Sequence, residues 1–334
     1  MKAVLMTDVG GPEVLQPDTI AAPEIESPTA IKVRLAGAGV NPVDTKLRGR
    51  GLFYTYPLPV VLGCDGAGEV IEIGAEVTRF KPGDSIWFCH GGLGAEQGNY
   101  AEFNVLDARW AAPRPSSIDA VTAAGGPLVL ITAWNALFDK GGLQPGQSVL
   151  IHAGAGGVGH VAIQLAKNAG ARVCTTVGSL EKEAFVRALG ADHVVHYPRE
   201  DVAQAVLDWT NGDGVDLALD TVGPEAFRQS IPAVRHFGRL ITLLDPGLNV
   251  DWKEARIRNL MIGFELMLTP MLRKLDRARA RHVEILESCA QLIDAGKLRI
   301  EVSHRLPLAA ASEAHRHIET GRTTGKLVLE IAGA

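Results

Sequence analysis

Cysteine is scarce in this chain. Its 334 residues hold four, Cys64, Cys89, Cys174 and Cys289, set far apart and with no C-x-x-C pair. That spacing argues against a disulfide framework and predicts reduced thiols in the cytoplasm. Positive charge is not in excess either. Lys and Arg number 33 against 38 Asp and Glu, a net charge of -5, which argues against nucleic acid or an anionic membrane surface as a partner. No apolar run is long enough to span a bilayer. The first residues meet Asp8 and then Gly10-Gly11-Pro12 too early for a signal peptide. Internal repeats and low-complexity tracts are also missing. What remains is a globular composition, 46% hydrophobic and 21% charged, long enough for about two domains.

The first third of the chain has the pattern of β structure. Segments 2–7, 31–40, 67–73, 85–88 and 104–108 are strand candidates separated by Gly and Pro clusters such as Lys81-Pro82-Gly83-Asp84. A compact, mostly antiparallel β domain is expected over 1–122. A break at Pro113-Arg114-Pro115-Ser116-Ser117 leads into a helical region over 118–138, interrupted by Gly125-Gly126-Pro127. Strands and helices then alternate. Strand candidates at 149–153, 172–176, 193–196, 216–220, 239–243 and 261–264 flank helices near 158–168, 181–189, 202–209 and 225–235. The strands are near-continuous apolar runs, the pattern of a doubly wound parallel sheet over 123–264. The last segment, 265–334, holds a basic stretch at 268–280, a helix at 282–295, and two strands around a helix at 309–320. It does not continue the alternation. Its expected place is back on the N-terminal domain, with the alternating domain inserted between.

One stretch within the alternating region carries chemistry: Val149-Leu150-Ile151-His152-Ala153-Gly154-Ala155-Gly156-Gly157-Val158-Gly159. An apolar strand feeds into G-x-G-x-x-G, and a helical pattern follows. Gly154 allows the tight turn, Gly156 lets a pyrophosphate approach the backbone, and Gly159 lets the helix pack close to the strand. The helix start then offers free N–H groups and a positive dipole end to phosphates. The pattern predicts dinucleotide binding by Gly154, Ala155, Gly156, Gly157, Val158 and Gly159. A glycine-rich turn without a ligand is the alternative. An NAD site of this fold carries an acid at the end of the second strand. Here Val177-Gly178-Ser179 has none, and Lys182 follows one helical turn later.

The order of elements, with Asn41-Pro42-Val43-Asp44, Leu62-Gly63-Cys64-Asp65-Gly66-Ala67-Gly68, Pro82-Gly83-Asp84, the glycine loop, Asp220-Thr221-Val222-Gly223 and Gly321-Arg322-Thr323-Thr324-Gly325-Lys326, resembles the medium-chain dehydrogenase/reductases. Within them it is most similar to the zinc-independent NADPH:quinone oxidoreductase-like branch. The resemblance spans essentially the whole chain. It implies a Rossmann doubly wound parallel sheet inserted into a GroES-like β domain, hydride transfer from a nicotinamide cofactor in the cleft between them, and a homodimer or homotetramer.

The resemblance also assigns residues. Ser179, Lys182 and Tyr197 would hold the 2′-phosphate of NADPH, with Glu181 and Glu183 as opposing charges in the same turn. Thr132, Val222, Leu243 and Phe264 would line the nicotinamide, and Lys326 would contact the cofactor. Asn41 would be the polar residue of the cleft. Tyr54, Tyr56 and Asp44, expected in the loop after Asn41, are proton-donor candidates. Zinc-dependent members carry a cysteine at the position of Asn41, a histidine at that of Cys64 and a third ligand near Leu128, so no metal is expected. Cys64 is then a partly buried thiol, and His315 and His317 are helix-surface histidines. The expected substrate is a quinone or another conjugated carbonyl compound. Reduction of an enal, enone or enoyl-thioester double bond and a non-catalytic NADPH-binding role are the alternatives.

Overall fold

The computed structural model describes residues 1–54 and 56–331. The chain divides into two compact units. One is Met1–Leu128 together with the segment from Leu268 onward; the other is Val129–Met267. The first boundary falls inside helix Pro127–Trp134. The reason is packing: the short helix Ala120–Ala124 lies so close to Gly37 and Gly39 that a Cβ on Gly39 would stand 2.5 Å from the Ala124 carbonyl oxygen.

The Val129–Met267 unit is built on six parallel strands. Across the sheet they run His193–His196, Arg172–Val177, Ser148–Ile151, Val215–Asp220, Val234–Thr242 and Met261–Phe264. The strand order therefore reverses beside Ser148–Ile151, the switch point of a doubly wound Rossmann sheet. The runs Val149-Leu150-Ile151 and Leu217-Ala218-Leu219 are buried throughout, as strands enclosed on both faces must be. Leu150, Cys174, Ala218 and Leu240 share one core with Val206 of helix Val202–Trp209 and with Phe227 and Ile231 of helix Pro224–Ala233.

The other unit centres on Ala30–Val40. This strand pairs antiparallel with Asp65–Ile73, Phe103–Asp107 and Lys326–Glu330. Asp65–Ile73 continues through Ser85–Cys89 to Ala111–Pro113. At the far edge Val302–Pro307 joins Lys326–Glu330 in parallel, across helix Ala311–Glu319. A small second sheet sets Lys2–Met6 between Leu15–Thr19 and Val60–Val61. No helix among the described residues is long and apolar enough to cross a membrane.

Four local expectations are corrected. Residues 42–50 form a helix, Pro42–Arg50, where a loop is expected. Pro42 sits at its first position, the Asp44 carboxylate reaches back to accept the Asn41 N–H at 2.8 Å, and Gly51 ends it at φ +95°. Its inward face is Asp44, Leu47 and Arg48, so the helical period is carried by charged residues and no apolar stripe announces it. His315 is fully buried, because Ala311, Ala314 and His315 make the inward face of helix Ala311–Glu319. Cys64 is likewise fully buried, and the 19-residue helix Asp276–Asp294 begins within the basic stretch.

Candidate functional site

The turn after strand Ser148–Ile151 is shaped by close contacts. Ala153 adopts φ +49°. Its N–H donates to Thr176 Oγ1 at 3.0 Å, and the Gly154 N–H donates to the Thr176 carbonyl at 3.1 Å. A Cβ on Gly154 would stand 2.0 Å from Thr175 Oγ1, whose hydroxyl donates to the Ile151 carbonyl at 2.6 Å. A Cβ on Gly159 would stand 2.3 Å from the Ala153 carbonyl oxygen. These two glycines allow the helix to lie against the strand. Gly156 differs. It caps helix Gly157–Asn168, and a Cβ there would meet only the Ala153 oxygen, at 3.2 Å. Space is open beside its backbone at the start of a 12-residue helix. Ala155 is buried, while Gly156, Gly157 and Val158 are half-buried. This cradle fits the pyrophosphate of a dinucleotide.

Further loops lie at the same carboxyl edge of the sheet. After strand Val215–Asp220, the buried Asp220 carboxylate accepts the Val222 and Gly223 N–H groups, both at 2.9 Å, and the Thr242 hydroxyl at 2.8 Å. Burial raises its pKa. This leaves Val222 half exposed. The Leu243 N–H donates to the Asp220 carbonyl at 3.0 Å, and Phe264 ends the sixth strand with 57% of its surface exposed. Thr132 is enclosed within helix Pro127–Trp134. After Arg172–Val177, Ser179 caps helix Leu180–Ala188 by accepting the Lys182 N–H at 3.3 Å, and its hydroxyl proton remains to donate. Tyr197 lies over Gly178: a Cβ there would be 2.8 Å from its hydroxyl oxygen. Glu183 is drawn to His196 at 2.6 Å and Arg187 at 2.8 Å, so its charge is already paired.

The β unit holds a second polar cluster. Buried Asp65 accepts Asn41 Nδ2 and the Leu128 N–H, each at 2.8 Å. The Lys326 ammonium donates to Asn41 Oδ1 and, at 3.0 Å, to the Val40 carbonyl, 4.0 Å from Asp65 Oδ2. Asn41 is fully buried with both ends of its amide engaged, and Lys326 is buried with it. A buried carboxylate demands donors; Asn41 Nδ2 and the Leu128 N–H supply them, with the Lys326 ammonium nearby as positive charge. Asp44 Oδ2 accepts the Tyr100 hydroxyl at 3.1 Å, and that hydroxyl lies 3.1 Å from His315 Nε2. Burial raises Asp44 to about 7 and Asp65 to about 6, and lowers His315 to about 3. The Cys64 thiol is pushed up by its hydrogen bond to Cys89 and by burial. Tyr54 is 42% exposed, its hydroxyl donating to the Leu272 carbonyl at 3.4 Å. It lines a cavity of about 190 Å³ with Tyr56, Leu93, Met271 and Leu272.

Sequence reasoning assigned no role to Asp65 and did not single out Glu265. Glu265 is an acid inside the apolar run Phe264–Met267 that is nonetheless buried; that mismatch was the available signal. Asp65 opens a Gly- and Ala-rich strand in which three of its four nearest successors are small and buried.

Gly154→Ala should cost about 1–3 kcal/mol in urea unfolding, because the new methyl meets a buried, bonded hydroxyl. Gly156→Ala should change stability by about 1 kcal/mol or less while weakening dinucleotide binding about tenfold or more. Equal loss of stability in both variants would contradict the geometry. A second expectation concerns pH. His90, His152 and His315 are held neutral, with pKa values lowered by burial from 6.5 to about 4, 4 and 3. The stability they contribute is lost as pH falls below about 6.5. Asp44 and Asp65 act oppositely, since the fold keeps their protons up to about 7 and 6 where the unfolded chain releases them near 3.8. Their contribution is present at low pH and lost as pH rises. Asp44→Asn removes one opposing proton, so stability between about pH 4.5 and 6.5 should rise more steeply than in the parent, by about 1.4 kcal/mol per pH unit. An unchanged slope would show that Asp44 does not titrate there.

Residues 27–116 match the alcohol dehydrogenase GroES-like domain, and residues 189–329 match the zinc-binding dehydrogenase family. Where zinc-dependent members of the family it resembles carry their ligands, this chain has Asn41, Cys64 and, near the third position, Leu128. Among the described residues no three His, Cys, Asp or Glu side chains are grouped to hold a metal ion. The chain is 34% identical over 328 residues to quinone oxidoreductase of Pseudomonas aeruginosa, across 98% of this chain and 99% of that one. It is 30% identical over 342 residues to 2-haloacrylate reductase of a Burkholderia species, across 98% of each. The crystal structure of Escherichia coli quinone oxidoreductase complexed with NADPH superposes with a TM-score of 0.88 at 28% identity, across 99% of this chain and 100% of that one. The chain belongs to the medium-chain dehydrogenase/reductase superfamily, in its quinone oxidoreductase-like branch.

Proposed function

We propose that the protein is an NADPH-dependent reductase that delivers a hydride to a quinone or another conjugated carbonyl compound without a metal ion. The observation that carries the reading is the open backbone at Gly156, set at the switch point of the parallel sheet and at the start of helix Gly157–Asn168. When bound, NADPH supplies the hydride. The backbone N–H groups of Gly157 and Val158 receive the pyrophosphate, with Gly154 and Gly159 setting the turn and Ala155 packed beneath it. Ser179, Lys182 and Tyr197 receive the 2′-phosphate: Ser179 offers its hydroxyl proton and Lys182 a positive charge. The second strand ends without a carboxylate, and Glu183 is occupied by Arg187 and His196. That arrangement favours NADPH over NADH.

Thr132, Val222, Leu243 and Phe264 orient the nicotinamide and keep water from it. Tyr54 presents an exposed hydroxyl to substrate, while Asn41 and Lys326 act from inside the β unit by fixing Asp65. A quinone that accepts a hydride can take the one further proton it needs from water, so the chemistry needs no dedicated acid. The metal-free reading is supported by the Lys326 ammonium, which supplies the positive charge beside Asp65. Reduction of an activated double bond is the second reading, favoured by the similarity to 2-haloacrylate reductase.

The test is NADPH oxidation by metal-stripped protein with 1,4-benzoquinone, 9,10-phenanthrenequinone, an enal and an enoyl thioester. Saturable, chelator-resistant turnover of the quinones is expected. Turnover of the enal or thioester alone would establish the second reading. Stoichiometric metal whose removal abolishes activity would overturn the metal-free mechanism. Tight NADPH binding without turnover of any substrate would point to a non-catalytic role.

A further inference from the structure

Within the Val129–Met267 unit, two described acids are buried, Asp220 and Glu265. Asp220 shapes the Val222 loop, as described above. Glu265 follows the last strand directly and is 4% exposed. An isolated acid in that position is costly to bury, and its partners show what it is held by. Glu265 Oε2 lies 2.7 Å from Lys140 Nζ, and Oε1 accepts Asn135 Nδ2 at 3.2 Å. Both partners come from one segment, Asn135–Lys140, which continues helix Pro127–Trp134 as a π-helical turn. Such turns are rare and concentrate at functional sites. Lys140 Nζ also donates to the Phe264 carbonyl. Arg239, on the fifth strand, fixes the far end of the turn by donating to the Gly141 carbonyl at 3.0 Å.

The bracket extends to the other buried acid. The Glu265 N–H donates to the Thr242 carbonyl at 2.9 Å, and the Thr242 hydroxyl donates to Asp220 Oδ2 at 2.8 Å. One hydrogen-bonded path therefore runs from the π turn through Glu265 and Thr242 to Asp220 and the Val222 N–H. Phe264 and Val222 hang from its two ends, both with about half their surface exposed. Thr132 lies one helical turn before Asn135. Phe264, which precedes Glu265, and Thr132, one turn before Asn135, therefore sit on the two elements that the Glu265 side chain joins.

Resting on the reading above, we propose that Glu265 is a positioning residue for the nicotinamide ring: it sets Phe264 and the π turn against the Val222 loop without touching the cofactor. The glycine cradle and the Ser179 region lie on other loops and do not share this path, so the adenosine end should be indifferent to it.

The test compares the wild-type protein with Glu265→Ala, Glu265→Gln and the surface variant Lys140→Met. Three quantities are read: affinity for 2′-phospho-ADP-ribose, which lacks nicotinamide; the emission of bound NADPH; and kcat with the quinone. All four proteins should bind 2′-phospho-ADP-ribose alike. Glu265→Ala should lose about tenfold or more in kcat and shift the emission of bound NADPH toward that of free NADPH. Glu265→Gln, which keeps the shape and an acceptor, should recover much of both. Lys140→Met should show a smaller loss in the same direction, which keeps the test open if Glu265→Ala does not fold. Unchanged kcat and emission in Glu265→Ala and Lys140→Met would overturn the proposal. So would a parallel loss of 2′-phospho-ADP-ribose affinity, which would mark a merely structural role. A wild-type protein that binds neither compound, or that binds NADPH without turnover, would overturn the functional reading and the inference with it.

Discussion

The close approach of helix Gly157–Asn168 to the end of strand Ser148–Ile151 is the constraint on which the inserted unit depends. Gly159 lies so near the Ala153 carbonyl, and Gly154 so near Thr175, that neither position has room for a methyl group. The helix start is thereby brought to the edge of the sheet with its first N–H groups directed outward. Strand order does the rest. Because it reverses beside Ser148–Ile151, the loops after that strand and after Val215–Asp220 diverge to leave a crevice. The two threonines Thr175 and Thr176 anchor the turn from the neighbouring strand, so the site belongs to the sheet rather than to a free loop.

The β unit solves a different physical problem. Asp44 and Asp65 are both fully buried, and two carboxylates cannot be buried near each other as bare anions. Asp65 is compensated by Asn41, by the Leu128 N–H and by the nearby Lys326 ammonium. Asp44 holds a proton to about neutral pH. The cluster ties the start of helix Pro42–Arg50 to strands Ala30–Val40, Asp65–Ile73 and Lys326–Glu330, which come from both ends of the chain.

The sequence was most informative where burial is simple. Strand His193–His196 and helix Val202–Trp209 occur at the residues their apolar patterns predict. The resemblance assigns Ser179, Lys182 and Tyr197 to the 2′-phosphate, and the fold lays Tyr197 over Gly178, the residue before Ser179. Reading failed where polar side chains carry the packing. Helix Pro42–Arg50 turns Asp44 and Arg48 inward, Arg48 pairing with Glu319 at 2.5 Å. His315 completes a buried face, and Lys326 heads an apolar strand as an internal cation. Each of these depends on a partner distant in the chain: Asp65 for Lys326, Tyr100 for His315, Glu319 for Arg48. No local pattern contains that information.

The most direct test of the account is a side-by-side fluorescence titration of metal-free protein with NADPH and NADH. The Gly156 cradle and the second strand's end, without a carboxylate and next to Ser179, Lys182 and Tyr197, predict saturable binding of NADPH, tighter than NADH by about tenfold or more, the contribution of a few charge-assisted hydrogen bonds to the 2′-phosphate. Equal or tighter binding of NADH would contradict the phosphate assignment. Failure to bind either would contradict the cofactor site itself.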